Sequence, residues 1–285
     1  MGLRLPEYVN SISLNTDDRP VAFMPFGFIA FAEEQLGNGD QFGLYWPIGQ
    51  EGQPPIVAET FHDEGAVMPA FSSLEVFLSQ VDEQRESGHP EFPSYEADCL
   101  SPLACYEEAR RMLRNRNFDA AVPLLEAAVA KLPEYTSALA LLAAQYLRQK
   151  RKDEACRMAA RTIISPPSFG SGEQVQRICS WLSNLDEGPA DLVQDPIWQS
   201  RASLASIPSG GTKESAAYPI LAEAIDIYAA RGHIVTALTL MQTYSEHMNY
   251  ETISFQQRYR FDFHTHWQRQ REMSTRLPDG PRFLT

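Results

Sequence analysis

Residues 101–133, SPLACYEEARRMLRNRNFDAAVPLLEAAVAKLP, decide how the chain is read. Small residues stand at Ala109, Ala121 and Ala128, and Pro133 closes the run. The same types recur 34 residues later at Ala143, Ala155 and Pro167, with Tyr146 between the first two. A period of that length, with apolar residues at helical spacing, predicts stacked pairs of helices. The residue types have a physical reason. Two helices that cross closely need small side chains at the crossing, and the ring of Pro ends the second helix by clashing with the preceding turn.

Outward from these two frames the pattern weakens. A third frame starts at Tyr218, with Tyr228 and Ala237 in register and Asn249 where Pro would stand. Between the second and third frames, residues 174–185 read as a helix with Val175, Ile178, Trp181 and Leu182 on one face. Residues 195–204 read as a shorter helix, and 208–212, PSGGT, as a loop. Residues 252–271 predict a final helix that caps the array. The spaced Ala, Tyr and Pro positions resemble the tetratricopeptide repeat (TPR). That resemblance implies an all-α array over 99–285, whose concave face is built from the first helix of each pair.

The stretch before it has a different character. Residues 21–31, VAFMPFGFIAF, form an apolar aromatic run of strand type. Gly37, Asn38, Gly39 and Asp40 are turn formers, and the strand 41–46, QFGLYW, follows. A Pro and Gly cluster at 47–55 separates it from a short strand at 56–61. Ser72 or Ser73 can cap a helix carrying Leu74, Phe77, Leu78 and Val81 on one face. The Pro-rich stretch 87–102 reads as a linker. The expected fold class is therefore α+β, a small mixed-sheet module over 1–98 followed by the helical array over 99–285.

The order GNGDQFGLYW, then PPIVAE, then SSLEVFLSQV resembles the SUKH superfamily. Gly37, Gly39 and Asp40 match its turn, and Ser73, Leu74, Glu75, Phe77 and Leu78 match its closing helix. The N-terminal helix usual in that family is represented here only by Leu5, Pro6 and Tyr8. The resemblance implies an immunity protein that neutralises a bacterial toxin, often a nuclease, in an interbacterial competition system of the type VI effector class.

Charge points the same way independently. The first 100 residues hold 17 acidic and three basic residues, a net of −14; the other 185 hold 21 basic and 20 acidic, so the formal charge of −13 lies in the first third. Such a module disfavours direct contact with nucleic acid or anionic membrane and suits a basic protein partner. The expected contact residues are Glu33, Glu34, Asp40, Tyr45, Trp46, Glu59, Asp63 and Glu64. Tyr45 and Trp46 read equally well as core aromatics or interface anchors. An adaptor or chaperone role for the helical array, delivering a secreted effector, is the alternative.

Motifs for chemistry are missing from the sequence: there is no P-loop, GxSxG, HExxH or CxxC. The cluster His62, Asp63 and Glu64 reads as a turn or binding surface. His264 and His266 point apart on a helix, and Asp262 with His266 would supply only two ligands. The expectation is a protein without catalytic activity, cofactor or metal. The first 20 residues, with acidic side chains and no apolar run, predict no signal peptide. Cys99, Cys105, Cys156 and Cys179, widely spaced, read as reduced thiols of a cytoplasmic protein.

Overall fold

The computed structural model describes residues 2–16, 24–32, 39–83, 91–205, 207 and 216–284. It is an α+β protein with helices after a small N-terminal sheet, and that sheet is not mixed as expected: its four strands pair antiparallel throughout, each joined to the next by a short connection. The chain divides into two compact units, Met1–Pro133 with Ser274–Thr285, and Glu134–Met273. No helix among the described residues is long and apolar enough to cross a membrane.

The first unit is built on a four-stranded meander, β1 (Phe28–Ala30), β2 (Gln41–Tyr45), β3 (Ile56–Phe61) and β4 (Ala66–Phe71), in that spatial order. Ile29 pairs with Leu44, and Leu44 with Val57. β3 and β4 slip register between Val57 and Glu59. Pro69 lies in β4, an edge strand beside this irregularity, where a missing N–H is tolerated. That same Pro hides β4 from a reading by pattern. Only residues 28–30 of the expected strand 21–31 are strand; 24–27 form a bend and turn, and 21–23 lie outside the described residues.

Helix α1 (Leu74–Glu83) covers the sheet, its start capped by the Ser73 hydroxyl, which accepts from the Val76 N–H at 3.3 Å. Phe31, Phe42, Phe71 and Phe77 form the aromatic centre of a core that also holds Leu3, Leu44, Trp46, Val57 and Leu74. Residues Glu7–Ser11 form a single 3-10 turn.

The expected linker is tied down where it is described. Asp98 is buried and accepts from the Ser72 N–H at 2.8 Å. Ser101 caps α2 (Pro102–Arg114) by accepting from Ala104 N–H at 3.1 Å, and its hydroxyl donates to Ala70 O in β4 at 2.5 Å. The expected boundary at 98/99 therefore falls inside the first unit, which also contains α2 and α3 (Phe118–Lys131). Residues 274–284 return to this unit, where Leu3 N–H donates to Phe283 O at 3.1 Å.

The second unit begins with α4 (Thr136–Arg148), α5 (Lys152–Ile164) and α6 (Glu173–Ser183). The short helices α7 (Pro196–Gln199) and α8 (Arg201–Leu204) follow. Next come α9 (Ala217–Ala230), α10 (Ile234–Asn249), α11 (Ile253–Arg258) and α12 (Phe263–Ser274). The expected loop 208–212 lies outside the described residues. The expected final helix is two helices, α11 and α12, broken at Arg260.

One turn joins the helices of four pairs. In α2–α3, α4–α5, α9–α10 and α11–α12 a residue with positive φ ends the first helix: Arg116 (61°), Lys150 (61°), Gly232 (78°) and Arg260 (53°). The next N–H donates back five residues at 2.9 Å in each: Asn117 to Met112 O, Arg151 to Tyr146 O, His233 to Tyr228 O, Phe261 to Gln256 O. This is the left-handed helix stop that usually takes Gly; Arg and Lys there suit the helix dipole but strain the backbone. Lys150→Gly should therefore raise the unfolding free energy by about 0.5–1 kcal/mol, read by chemical denaturation. A loss of stability would mean that the Lys150 side chain makes a contact worth more than the strain.

Candidate functional site

The expected contact residues separate into three groups. Glu33 and Glu34 lie outside the described residues, as does Gly37. Tyr45 and Trp46, fully buried, lie at the end of β2, between β1 and β3, and Glu59 in mid-β3 is 1% exposed. These three are part of the interior, a correction to their place among the contact residues; of the two readings of Tyr45 and Trp46, the core one holds. Successive strand residues point to opposite faces, and β2 and β3 are buried at consecutive positions, so the sheet is covered on both faces there.

Asp40, Asp63 and Glu64 remain, and the fold brings them to one rim. Asp40 precedes β2, and the turn 62–65 joins β3 to β4. The Asp40 carboxylate accepts from the His62 N–H at 2.9 Å, and its Oδ1 lies 3.0 Å from His62 Nδ1. His62 Nε2 lies 3.0 Å from Asp63 Oδ1. The hydrogen bond to Asp40, with the Asp63 and Asp40 charges, raises the His62 pKa. Asp63 is 90% exposed and Glu64 is also exposed. The rim offers carboxylates on an open turn.

Elsewhere the residues weighed for metal binding serve the fold. Asp262 Oδ1 accepts from the Thr265 N–H at 2.7 Å, an N-terminal cap for α12. His266 is turned to Met241 O at 2.9 Å, and burial pushes its pKa down to about 4. Among the described residues no three His, Cys, Asp or Glu side chains gather as a metal site. Cys99 is exposed and Cys105, Cys156 and Cys179 are buried, all as free thiols.

Sequence reading missed a polar cluster inside the second unit. Helix α10 buries Gln242, Thr243, Ser245, Glu246 and His247 together. The Glu246 carboxyl takes bonds from Ser168 N–H and Ser168 Oγ, both at 2.9 Å, and from Gln242 Nε2 at 2.8 Å. Burial raises its pKa to about 7, against these hydrogen bonds. Burial lowers that of His247 to about 4. His247 lines a cavity of about 10 Å³ with Thr136, Thr162, Ser165 and Ser171, room for a single water. The unbroken helical pattern of α10 was the only signal, and it does not tell a buried polar residue from an exposed one.

The second unit also carries an open depression of about 470 Å³ along one face of α6, lined by Glu173, Gln176, Arg177, Ser180, Trp181 and Asn184.

Comparison with known proteins gives two family matches. Residues 14–89 match the YfbP N-terminal domain, and residues 209–280 match the YfbP C-terminal domain. A protein of Escherichia coli strain K12, described as uncharacterized protein YfbP, is 36% identical over 245 residues, covering 85% of each chain. No solved structure matches. With that identity running through both domains, the chain belongs to the YfbP family.

Proposed function

We propose that the chain is a non-enzymatic protein-binding protein whose acidic N-terminal third recognises a basic protein. In the narrower form of this reading it is an immunity protein that occludes a bacterial toxin, a nuclease with a basic surface. The observation that carries it is the net charge of −14 in the first 100 residues, with Asp63 and Glu64 exposed on an open turn beside the largely covered Asp40. A nuclease needs cations for phosphate, and a carboxylate-rich surface can cover them and raise the association rate. The resemblance to the SUKH superfamily adds support. It implies a turn that opens a strand, then a hairpin, then a closing helix, and β2, β3 with β4, and the Ser73-capped α1 follow in that order. Inhibition by occlusion asks for no chemistry, cofactor or metal, and places the protein where its partner is made, in the cytoplasm.

The test is calorimetry of the full chain with the toxin-like protein encoded beside it, across a salt series. Asp63→Asn with Glu64→Gln should weaken binding about tenfold at low salt, with the deficit shrinking at high salt. Affinity indifferent to both salt and the double substitution would sink this reading.

A second reading, a TPR-type adaptor or chaperone for a secreted effector, has two observations in its favour. The four like turns support a repeated helical pair. Helix α6 packs on α4 as the first helix of a following repeat would, and its open face carries the depression around Trp181. Binding there would be nearly independent of salt and lost in Trp181→Ala.

A further inference from the structure

We propose that the first unit contains a guanidinium receptor, and that the segment 274–284 is its tethered ligand, held through Arg282. The Arg282 side chain is fully buried. Its Nη1 donates to Glu51 Oε1 at 2.5 Å. Its Nε and Nη2 both donate to Phe26 O, at 3.2 and 2.7 Å, and Nη2 also donates to Trp46 O at 2.6 Å. Four of the five guanidinium donors are thereby met, by two backbone carbonyls and one carboxylate. The Tyr45 ring lies beside it, 5.7 Å from Cζ to the centroid.

Every part of this arrangement is selective for a planar cation. The carbonyls of Phe26 and Trp46 converge from the flanks of β1 and β2 and ask for a fork of N–H groups; an ammonium offers a point charge and cannot span them. Gly27 opens the slot. A Cβ there would stand 2.4 Å from Nη2, and its φ of +92° is one that L side chains rarely adopt. Glu51 is 1% exposed, and its Oε1 is further fixed by the Gly49 N–H at 2.9 Å. Its Oε2 is buried with no hydrogen-bond partner. A carboxylate so placed strongly disfavours an empty site, because a buried charge without its counter-charge is costly. Beyond Arg282, the segment adds Leu284 against the core and the Leu3 to Phe283 bond. The assignment does not depend on the partner proposed above.

Chemical rescue of the full chain tests it. Arg282→Ala should unfold at a lower temperature than wild type. Millimolar methylguanidinium should restore several degrees in a saturable manner, as a ligand of the native state does, and methylammonium should not. The double variant Glu51→Gln, Arg282→Ala should not respond. Where Arg282→Ala does not fold in plain buffer, the readout is refolding yield with and without methylguanidinium, the yield rising only with the guanidinium compound. Two results overturn the proposal: Arg282→Ala as stable as wild type, or methylguanidinium acting on it as it acts on wild type in both assays.

Discussion

Replacing Phe77 by Ala should lower the unfolding free energy by about 3–5 kcal/mol. Phe77 is 2% exposed and, with Leu74, is sent by α1 into the core. Its ring centroid lies 5.1 Å from that of Phe42, 5.2 Å from Phe71 and 5.4 Å from Phe31. Three rings from three parts of the sheet thus lose a common neighbour, and rigid aromatic walls collapse poorly into a cavity. The edge-on contact with Phe71 is lost as well. Phe77→Leu, which refills most of the volume, should cost far less. Trp46, the only Trp of the first unit, is buried in the same core and reports its unfolding in a urea titration by fluorescence. A loss below about 1 kcal/mol for Phe77→Ala would show that the cluster is not the organising core of this unit.

The second large effect is a pair of opposed pH dependences at neighbouring residues. Folded Glu246 keeps its proton up to about pH 7, while the unfolded carboxyl, with its ordinary value of 4.5, has already lost it. Its contribution to stability is therefore greatest below 4.5 and declines as pH rises to about 7. Folded His247 resists protonation down to about pH 4, whereas the unfolded imidazole takes a proton below 6.5. Its contribution is whole above 6.5 and declines as pH falls to about 4. Between 4.5 and 6.5 each slope is about 1.4 kcal/mol per pH unit, of opposite sign, so the two nearly cancel. Removing either partner exposes the other.

The stability of wild type minus that of Glu246→Gln should thus fall by about 3 kcal/mol from pH 4.5 to 7. Wild type minus His247→Asn should fall by about the same amount from pH 6.5 to 4. Taking differences removes every other titrating group, and urea melts at each pH supply them. Difference curves that are flat, or that slope the same way, would mean that the two groups do not titrate as buried residues.

The elements that the sequence made legible are those fixed by local pattern. The 34-residue recurrence of Ala and Pro located α2 to α5, because close helix crossings and helix ends constrain residue type at fixed spacing. Residues 56–61 and 41–45 are strands where the apolar runs and turn formers put them. What stayed hidden depended on pairing or on distant partners. β4 was masked by Pro69, acceptable only because the strand is an edge. Tyr45 and Trp46 are adjacent residues that could each have faced solvent or core, and only packing over both faces of the sheet makes both interior. The break between α11 and α12 rests on Arg260 in a left-handed conformation, which its residue type does not announce. Of the candidate contact residues, the exposed Asp63 and Glu64 follow from turn chemistry, whereas Glu59 looks the same in sequence and is interior. The Glu51 to Arg282 pair spans 231 residues, beyond any local reading.

That last separation bears on how the protein is made. The ribosome delivers the sheet, the aromatic core and Glu51 first, then all of residues 134–273, and only afterwards Arg282. Domains commonly fold in the order of their synthesis. Here the unit begun first is finished last, and throughout translation of the intervening segment its binding slot waits open, with Glu51 lacking its counter-charge. The nascent sheet therefore stays incomplete while residues 134–273 are made, and the arrival of Arg282, rather than emergence of the sheet, is the event that completes its fold.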